Sequence, residues 1–201
     1  GLGTFCRHRG RLRVVEYSEL PESMATAREA DGRRRYDAGS ISVYVIERGF
    51  AERMADAGLP WHRARKRVAH VDCATGRAVE PSEPNAVKLE RFLFDAAPQA
   101  RVWLVVETDR DEEFAPVKNL TGADSVQTSR AAQVRRACRW LREAGVEVPV
   151  GEDGEPAAVV EISARVAQEA RGLRGSVPGG LRIAPGSCVY LGPDGVHAVE
   201  R

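Results

Sequence analysis

Lysine is scarce in this sequence, although basic residues as a class are abundant. Only three of the 30 lysine and arginine residues are lysines: Lys66, Lys88 and Lys118. This preference for arginine, together with frequent alanine, is typical of a GC-rich genome and favours a bacterial source. A lysine that persists against such a bias is a candidate for a position that needs an ammonium group rather than a guanidinium group.

Long apolar runs, an excess of one charge and paired cysteines are also missing. The longest apolar run, residues 102–106, is too short to span a bilayer, and no export signal opens the chain. A formal net charge of +1 offers no field that would attract nucleic acid or an anionic membrane. The four cysteines lie far apart with no C-x-x-C pair, which favours reduced thiols. We therefore expect a cytoplasmic protein without nucleic-acid or membrane partners.

A hydrophobic content of 43% with 29% charged residues is enough to build a core, and the local patterns alternate between strand and helix. Such alternation indicates an α/β fold. Beyond residues 151–156 glycine and proline become frequent, so we place a domain boundary there, with residues 1–150 before it and a small β-rich region, 151–201, after it. The expected strands are 11–17, 36–47, 100–108 and a hairpin turning at Thr75-Gly76; the expected helices are 48–58, 85–97 and 128–144.

Two of these helices carry apolar stripes that predict their buried faces. In the helix 85–97 the stripe consists of Leu89, Phe92, Leu93 and Ala96, and Phe94 lies outside it. In the helix 128–144 the apolar stripe is opposed by arginines, which predict a solvated face. The stripe of this second helix is Ala131, Val134, Cys138 and Leu141, and the arginines are Arg135, Arg139 and Arg142.

Few side chains stand out as candidates for chemistry. Glu16 ends an apolar strand, where its carboxylate could accept hydrogen bonds from ligand hydroxyls; the alternative is a solvent-facing strand end. Lys88 and Lys118 suit a phosphate, since an ammonium is a compact charge with rotatable donors; the alternative is two surface lysines. The segment 70–73, "HVDC", offers no metal site, because strand alternation points its residues to opposite faces. The opening "GLGTFCR" predicts a strand entry rather than a phosphate loop, which would follow a strand.

Four stretches occur in one order and spacing: "VVEYSEL" (14–20), "DAGSI" (37–41), "PNAVKLERFLFD" (84–95) and "DEEFAPVKN" (111–119). Together they resemble the UDP-sugar pyrophosphorylases, especially the UDP-N-acetylglucosamine pyrophosphorylase branch of these uridylyltransferases. The resemblance extends from about Val14 to Gly145. It implies part of a mixed-sheet, Rossmann-like nucleotidyltransferase domain of the nucleotide-diphospho-sugar transferase type, with the β-rich region as a C-terminal addition.

The resemblance also implies a reaction and roles for particular residues. In this family a sugar 1-phosphate attacks the α-phosphate of UTP with the help of Mg²⁺, and pyrophosphate leaves. Lys118 matches the lysine that neutralises the transferring phosphates, and Lys88 matches a lysine near the nucleotide phosphates, so these two are the expected catalytic residues. The remaining expected substrate-binding residues are Glu16, Tyr17, Gly39, Ser40, Phe92 and Phe94.

Two departures from the family pattern set the expectations for this chain. The eukaryotic N-acetylhexosamine enzymes have Asn where this chain has Ser40. Both hexose 1-phosphates and N-acetylglucosamine 1-phosphate are therefore candidate substrates. The glycine-rich nucleotide loop and the metal-binding segments of the family lie upstream of the "VVEYSE" block. We therefore expect the C-terminal half of such an enzyme, without metal ligands of its own, inactive alone and partnered by the N-terminal half. The alternative is a non-catalytic module that binds a sugar phosphate or a partner protein.

Overall fold

A computed structural model describes residues 2–199 and confirms a mixed α/β fold with small sheets. Contacts divide the chain into two units, one up to Glu107 and one from Thr108 onward. The sequence suggested a boundary near residue 150. The contacts place the division earlier because the long helix of the second unit packs on the first strand of the β-rich region.

The first unit is built mainly from three antiparallel strand pairs. The order along the chain is β1 (Thr4–His8), β2 (Arg11–Val15), α1 (Glu22–Ala25), α2 (Arg48–Ala57), β3 (His62–Lys66), β4 (His70–Val71), β5 (Ala78–Val79), β6 (Ala86–Glu90) and a 3₁₀ helix (Leu93–Gln99). Strand β1 pairs with β2, β3 with β6, and β4 with β5.

The β1–β2 hairpin follows from local sequence. Arg9 and Gly10 form its turn with φ of 50° and 75°, a conformation that glycine adopts without steric cost. Leu12 and Val14 alternate along β2 and are buried, as the period of two predicts. The opening residues enter β1, which confirms a strand entry there, and the register places Thr4 opposite Val15.

Two other local predictions are confirmed in this unit. Helix α2 starts where the Glu47 carboxylate accepts hydrogen bonds from the amides of Gly49 and Phe50, both at 2.7 Å. It ends at Gly58, which has a φ of 73°. The hairpin of β4 and β5 turns through Gly76, whose amide donates to the Asp72 carbonyl at 2.8 Å.

The helix predicted over residues 85–97 is wrong. Residues Ala86–Glu90 form β6, because they pair with β3 from His62↔Glu90 to Lys66↔Ala86, and the 3₁₀ helix follows. Phe94, expected outside the apolar stripe, is buried, whereas Leu89 and Leu93 are exposed. The helical spacing of these apolar residues was therefore coincidental.

Two expected strands, 36–47 and 100–108, are also wrong. In the first, only an isolated bridge of Gly39 to Thr4 is present, and the second carries no strand. No strand among the described residues pairs with their apolar parts, and some of these side chains remain in solvent: Val45 is 102% exposed and Val102 is 90% exposed. A strand needs a partner for its backbone groups, and local composition does not supply one.

The second unit combines one long helix with a three-stranded sheet in which β7 is parallel to β8 and β8 is antiparallel to β9. No helix within residues 2–199 is long and apolar enough to cross a membrane. The elements are α3 (Arg110–Glu113), α4 (Val126–Glu143), β7 (Val159–Ile162), a 3₁₀ helix (Ala170–Leu173), β8 (Cys188–Gly192) and β9 (Gly195–Ala198).

Helix α4 is well defined at both ends. Ser125 and Thr128 form a reciprocal capping box at its start, and Gly145 follows its end with a φ of 86°. Cys138 and Leu141 are buried, as expected, but Ala131 is exposed and Trp140 is buried. The buried face is thus shifted toward the C-terminal half of the helix, where α4 packs on β7 and on residues of the following loops.

The core of the second unit predicts a large effect of truncating Leu141, which is 1% exposed. We expect Leu141→Ala to destabilise the unit by about 2–5 kcal/mol, since the change leaves a cavity. Leu120→Ala, at an exposed position of the same unit, is the matched control and should change little. The measurement is the urea concentration at which the buried Cys138 thiol becomes open to alkylation. An equal midpoint in both variants would contradict the packing described here.

Candidate functional site

The main chain of Gly3 brings two of the predicted site residues together. Its carbonyl accepts a hydrogen bond from the Ser40 amide at 2.7 Å. On its other side, a Cβ atom placed on Gly3 would lie 2.7 Å from Val14 Cγ1 and 3.7 Å from the Glu16 carboxylate. Only glycine fits this close approach. The sequence did not single out Gly3 in this role, since its contacts come from residues distant along the chain.

Glu16 and Tyr17 directly follow β2. The Glu16 carbonyl accepts from the amides of Glu19 (2.9 Å) and Leu20 (3.1 Å), so residues 16–20 form a tight turn. The Glu16 side chain is half-buried and Tyr17 is exposed. The turn therefore places a half-buried glutamate and an exposed tyrosine at consecutive positions after the end of a strand.

Gly39 and Ser40 lie along β1, on the opposite edge from β2. Gly39 bridges to Thr4, the residue that also pairs with Val15. Ser40 is buried, and its hydroxyl lies 3.0 Å from the Tyr44 hydroxyl and accepts from the Ser42 amide at 3.3 Å. Because a hydroxyl offers one donor and two acceptor positions, these contacts leave little capacity for a ligand.

Phe92 and Phe94 stack with ring centroids 4.7 Å apart and an interplanar angle of 14°. Phe94 is buried and Phe92 half-buried. They flank the start of the 3₁₀ helix Leu93–Gln99, which packs against β2. Arg11 of β2 donates a hydrogen bond to the Pro98 carbonyl at 2.9 Å, so the aromatic pair and the strand that leads to Glu16 belong to one packed group.

His62 connects the aromatic pair to the Glu16–Leu20 turn, and sequence reasoning missed it. Its Nδ1 lies 2.6 Å from a Glu19 carboxylate oxygen and its Nε2 lies 2.8 Å from an Asp95 carboxylate oxygen. Its ring centroid is 4.8 Å from that of Phe92. The hydrogen bond to Glu19, followed by that to Asp95, raises the pKa of His62 against an opposing effect of burial. No local signal marks this histidine, because its partners lie 43 and 33 residues away.

Lys88 occupies the middle of β6, opposite Ala64. Its ammonium pairs with the Glu90 carboxylate at 2.6 Å, and the side chain remains 58% exposed. Glu90 is opposite His62 in the same ladder, and residues two apart share a face of a strand. Lys88 is thus on the same sheet face as His62, where an exposed ammonium could exchange Glu90 for a phosphate.

Lys118 lies in the second unit, in a loop that closes on itself just before α4. The amides of Lys118 and Asn119 both donate to the Asp124 carbonyl, at 2.6 and 2.9 Å. The Asn119 side chain donates to the Ala123 carbonyl at 2.7 Å. Gly122 and Asp124 have positive φ values of 77° and 52°. These bonds fix the main chain from which the Lys118 ammonium projects.

The segment leading to this loop is anchored to α4 through Glu112. The Glu112 carboxylate accepts from Arg139 Nε at 3.0 Å and from Trp140 Nε1 at 2.9 Å, and its carbonyl accepts from Arg136 at 2.8 Å. The Glu112 carboxylate also raises the pKa of Arg139. The expected solvated arginine face is therefore wrong for Arg139, which binds a carboxylate instead.

Two further features of the described residues bear on ligands. A cleft of about 290 Å³ lies between α4 and β7 in the second unit, and none of the predicted site residues lines it. No group of three or more His, Cys, Asp or Glu side chains suited to a metal ion occurs within residues 2–199. The residues that line the cleft include Arg130, Gln133, Trp140, Glu161 and Gln168.

Comparisons with known proteins point to one group of enzymes. No protein-family model matches. The human UDP-N-acetylhexosamine pyrophosphorylase-like protein 1 is 36% identical over 189 residues, which are 86% of this chain and 37% of the human protein. The Saccharomyces cerevisiae UDP-N-acetylglucosamine pyrophosphorylase is 34% identical over 167 residues, 80% of this chain and 34% of the yeast protein.

Solved structures agree with the sequence relatives. A crystal structure from Entamoeba histolytica, of a protein provisionally named UDP-N-acetylglucosamine pyrophosphorylase, superposes with a TM-score of 0.71 at 32% identity, covering 90% of this chain and 44% of that one. The chain spans about a third of the length of the curated relatives it matches. These relatives are eukaryotic, so the comparisons give no support to a bacterial source.

The Glu112 contacts predict that this carboxylate, unlike that of Glu113, protects the Trp140 indole N–H from exchange with solvent. Glu112→Ala leaves the Trp140 N–H without its acceptor, at a cost of about 1–3 kcal/mol for an unsatisfied buried donor. Glu113→Ala, one residue along in the same short helix, is the matched control. We expect the Trp140 indole proton to exchange with solvent at least about fivefold faster in Glu112→Ala only. Unchanged exchange in that variant would show that Glu112 does not hold this segment.

Proposed function

We propose a function from one premise: the chain is a homologue of the UDP-N-acetylglucosamine pyrophosphorylases and corresponds to the C-terminal portion of these enzymes. It provides the sugar-phosphate side of a uridylyltransferase. In the reaction an oxygen of the sugar 1-phosphate attacks the α-phosphorus of UTP. The bond from that phosphorus to the bridging oxygen of the β-phosphate breaks, and pyrophosphate leaves as the UDP-sugar forms.

The observation that carries the proposal is the assembly of the expected sugar-side residues within the first unit. The Gly3 carbonyl accepts a hydrogen bond from the Ser40 amide, and a Cβ atom placed on Gly3 would lie 3.7 Å from a Glu16 carboxylate oxygen. His62 contacts Phe92 and is hydrogen-bonded to Glu19, three residues after Glu16. Glu16, Ser40 and Phe92 were expected from separate blocks of sequence, and nothing in their spacing requires that they belong to one packed group.

This group has the chemistry for a sugar. The Glu16 carboxylate accepts hydrogen bonds from sugar hydroxyls, and the aromatic faces of Tyr17 and Phe92 pack against the C–H surface of a pyranose ring. The Ser40 hydroxyl is largely engaged with Tyr44 and Ser42. It therefore supports the site wall more than it selects the substituent on the sugar. The substrate class is a sugar 1-phosphate, either N-acetylglucosamine 1-phosphate or a hexose 1-phosphate.

Lys118 and Lys88 supply positive charge for the phosphates. Phosphoryl transfer asks little covalent chemistry of the protein and much charge stabilisation. A lysine held on a preorganised loop, as Lys118 is by the Asp124 carbonyl, needs little reorganisation when charge develops. Lys88 assists nucleotide phosphates from the β6 face. Mg²⁺ belongs to the proposed reaction, but no described group of side chains on this chain fits it, so no step is assigned to it here.

The exposed apolar segments of this chain indicate that the working enzyme contains a further polypeptide portion. Residues 43–45 and 102–106 have strand-forming composition, yet Val45 and Val102 are fully or almost fully exposed. Exposed apolar patches of this kind mark interaction surfaces. We propose that these segments are covered by the portion of the relatives that this chain does not match. That portion is either part of the same polypeptide or a separate one.

Complementation tests the proposal. The 201-residue chain is mixed with a separately expressed N-terminal portion of a UDP-N-acetylglucosamine pyrophosphorylase. UDP-sugar formation from UTP and each sugar 1-phosphate is then measured. We expect activity in the mixture and none from the chain alone. UDP-sugar synthesis by the chain alone would contradict the proposal that the reaction needs the N-terminal portion. A mixture that is inactive and binds no sugar phosphate would favour a non-catalytic module.

In the complemented enzyme, Lys118→Ala should reduce turnover by on the order of 10²-fold or more while changing the KM for the sugar phosphate little, because the charge that Lys118 answers grows during transfer. Lys118→Arg should restore only part of the rate, since the guanidinium fork differs in geometry. Lys66→Ala, at the end of β3, is the matched control and should retain full turnover. Near-normal turnover of Lys118→Ala would remove Lys118 from the reaction.

A further inference from the structure

The two ring nitrogens of His62 both face carboxylates, and this geometry determines the charge of the ring. A neutral imidazole has one N–H donor and one lone pair, whereas an ionised carboxylate only accepts. With Glu19 at 2.6 Å from Nδ1 and Asp95 at 2.8 Å from Nε2, both nitrogens can donate to ionised carboxylates only when the ring is protonated. The imidazolium form of His62 thus joins two distant segments of the chain by charge-assisted hydrogen bonds.

Partial burial of the side chains around His62 strengthens these hydrogen bonds. The side chains of His62 and Asp95 are 19% and 17% exposed, while Glu19 is 48% exposed, so the Asp95 bond is the better shielded of the two. Glu90 faces His62 from β6 and is itself paired with Lys88. The neighbouring residues also interact, with Arg91 stacked over the Trp61 ring at 4.0 Å. The charged groups bonded to the ring or on its face of the sheet therefore include Glu19, Asp95, Glu90 and Lys88.

The two segments joined by His62 are those that carry the proposed sugar-binding side chains. Glu19 donates its amide to the Glu16 carbonyl, so a bond to its side chain restrains the turn that presents Glu16 and Tyr17. Asp95 lies between Phe94 and Ala96 in the 3₁₀ helix, and the His62 ring also contacts Phe92. We propose that His62 is a positioning residue of the sugar-phosphate site: its imidazolium holds the Glu16–Leu20 turn against the Phe92–Phe94 pair.

This role rests on the proposed function and has a defined pH dependence. The pKa of His62 is raised in the folded chain, so its stabilising effect is complete below the ordinary histidine value of about 6.5. The effect is lost as pH rises through the folded pKa, because a deprotonated ring can donate to only one carboxylate. The Glu16 turn should therefore loosen as pH rises through the folded pKa of His62.

The first test uses nuclear magnetic resonance on the whole chain between pH 6 and 9. The sequence has four histidines, so ring signals are few. We expect His62 to keep both ring protons at pH values above the ordinary histidine pKa of about 6.5. The amides of residues 16–20 and of Phe92 should shift with the His62 midpoint. If His62 loses a ring proton at the ordinary histidine pKa, or if those amides do not follow its midpoint, the link between the two segments is overturned.

The second test measures sugar-phosphate affinity, with N-acetylglucosamine 1-phosphate and glucose 1-phosphate as probes. His62→Phe keeps a ring against Phe92 and removes both hydrogen bonds, and His8→Phe is the matched control. We expect the Kd to rise on the order of 10-fold or more in His62→Phe and to stay unchanged in His8→Phe. Should His62→Phe not fold, the wild-type Kd measured across the His62 midpoint gives the same comparison.

The outcomes separate this inference from the proposed function. If the sugar phosphate binds tightly and its Kd changes neither with the His62 substitution nor across the His62 midpoint, the positioning role is overturned and the proposed function stays intact. Absence of binding to either sugar phosphate, in a chain whose His62 titrates as expected, overturns the positioning role together with the sugar site. Coupled changes in ring titration, amide shifts and Kd support the role, because a purely structural histidine would not make the sugar affinity follow its protonation.

Discussion

The pair of hydrogen bonds from His62 to Glu19 and Asp95 is the constraint on which the first unit depends. This unit buries few side chains, so its segments cannot rely on an extensive apolar core. Its buried residues are Leu12, Val14, Ser40, Phe94 and Ala96. Where apolar burial is small, charge-assisted hydrogen bonds between distant segments contribute a larger share of the order. The geometry of the candidate sugar site follows, since the Glu16 turn and the aromatic pair are both attached to this ring.

Different interactions stabilise the second unit. Helix α4 packs its C-terminal half against β7 and the following loops, with Cys138, Leu141 and Leu173 almost wholly buried. Glu112 and the capping box at Ser125 hold the chain on either side of the Lys118 loop. A stable helix thus supports the short loop that carries Lys118, the proposed source of charge for the phosphates. Such an arrangement suits electrostatic catalysis, which depends on groups fixed before the reaction begins.

Local sequence predicted those elements whose partners lie nearby. Strand β2, helix α2 and helix α4 follow from alternation, a helical stripe and glycine stops that are all present in the local sequence. The segments 36–47, 85–97 and 100–108 were mispredicted because their conformation depends on partners elsewhere. Segment 85–97 contains β6, which becomes a strand by pairing with β3. Segment 36–47 meets β1 only around Gly39, and segment 100–108 forms no strand pair among residues 2–199. His62 and Gly3 escaped notice for the same reason. The site residues inferred from family blocks remain predictions, although the structure places several of them in one packed group.

The most direct test of the account is a map of where a sugar 1-phosphate binds on this chain. Amide chemical shifts would be followed by nuclear magnetic resonance during titration with N-acetylglucosamine 1-phosphate and, separately, glucose 1-phosphate. The account predicts saturable shifts at Glu16, Tyr17, Ser40 and Phe92 in the first unit. Shifts confined to the cleft between α4 and β7, around Arg130, Trp140 and Gln168, would contradict it, as would the absence of any saturable shift.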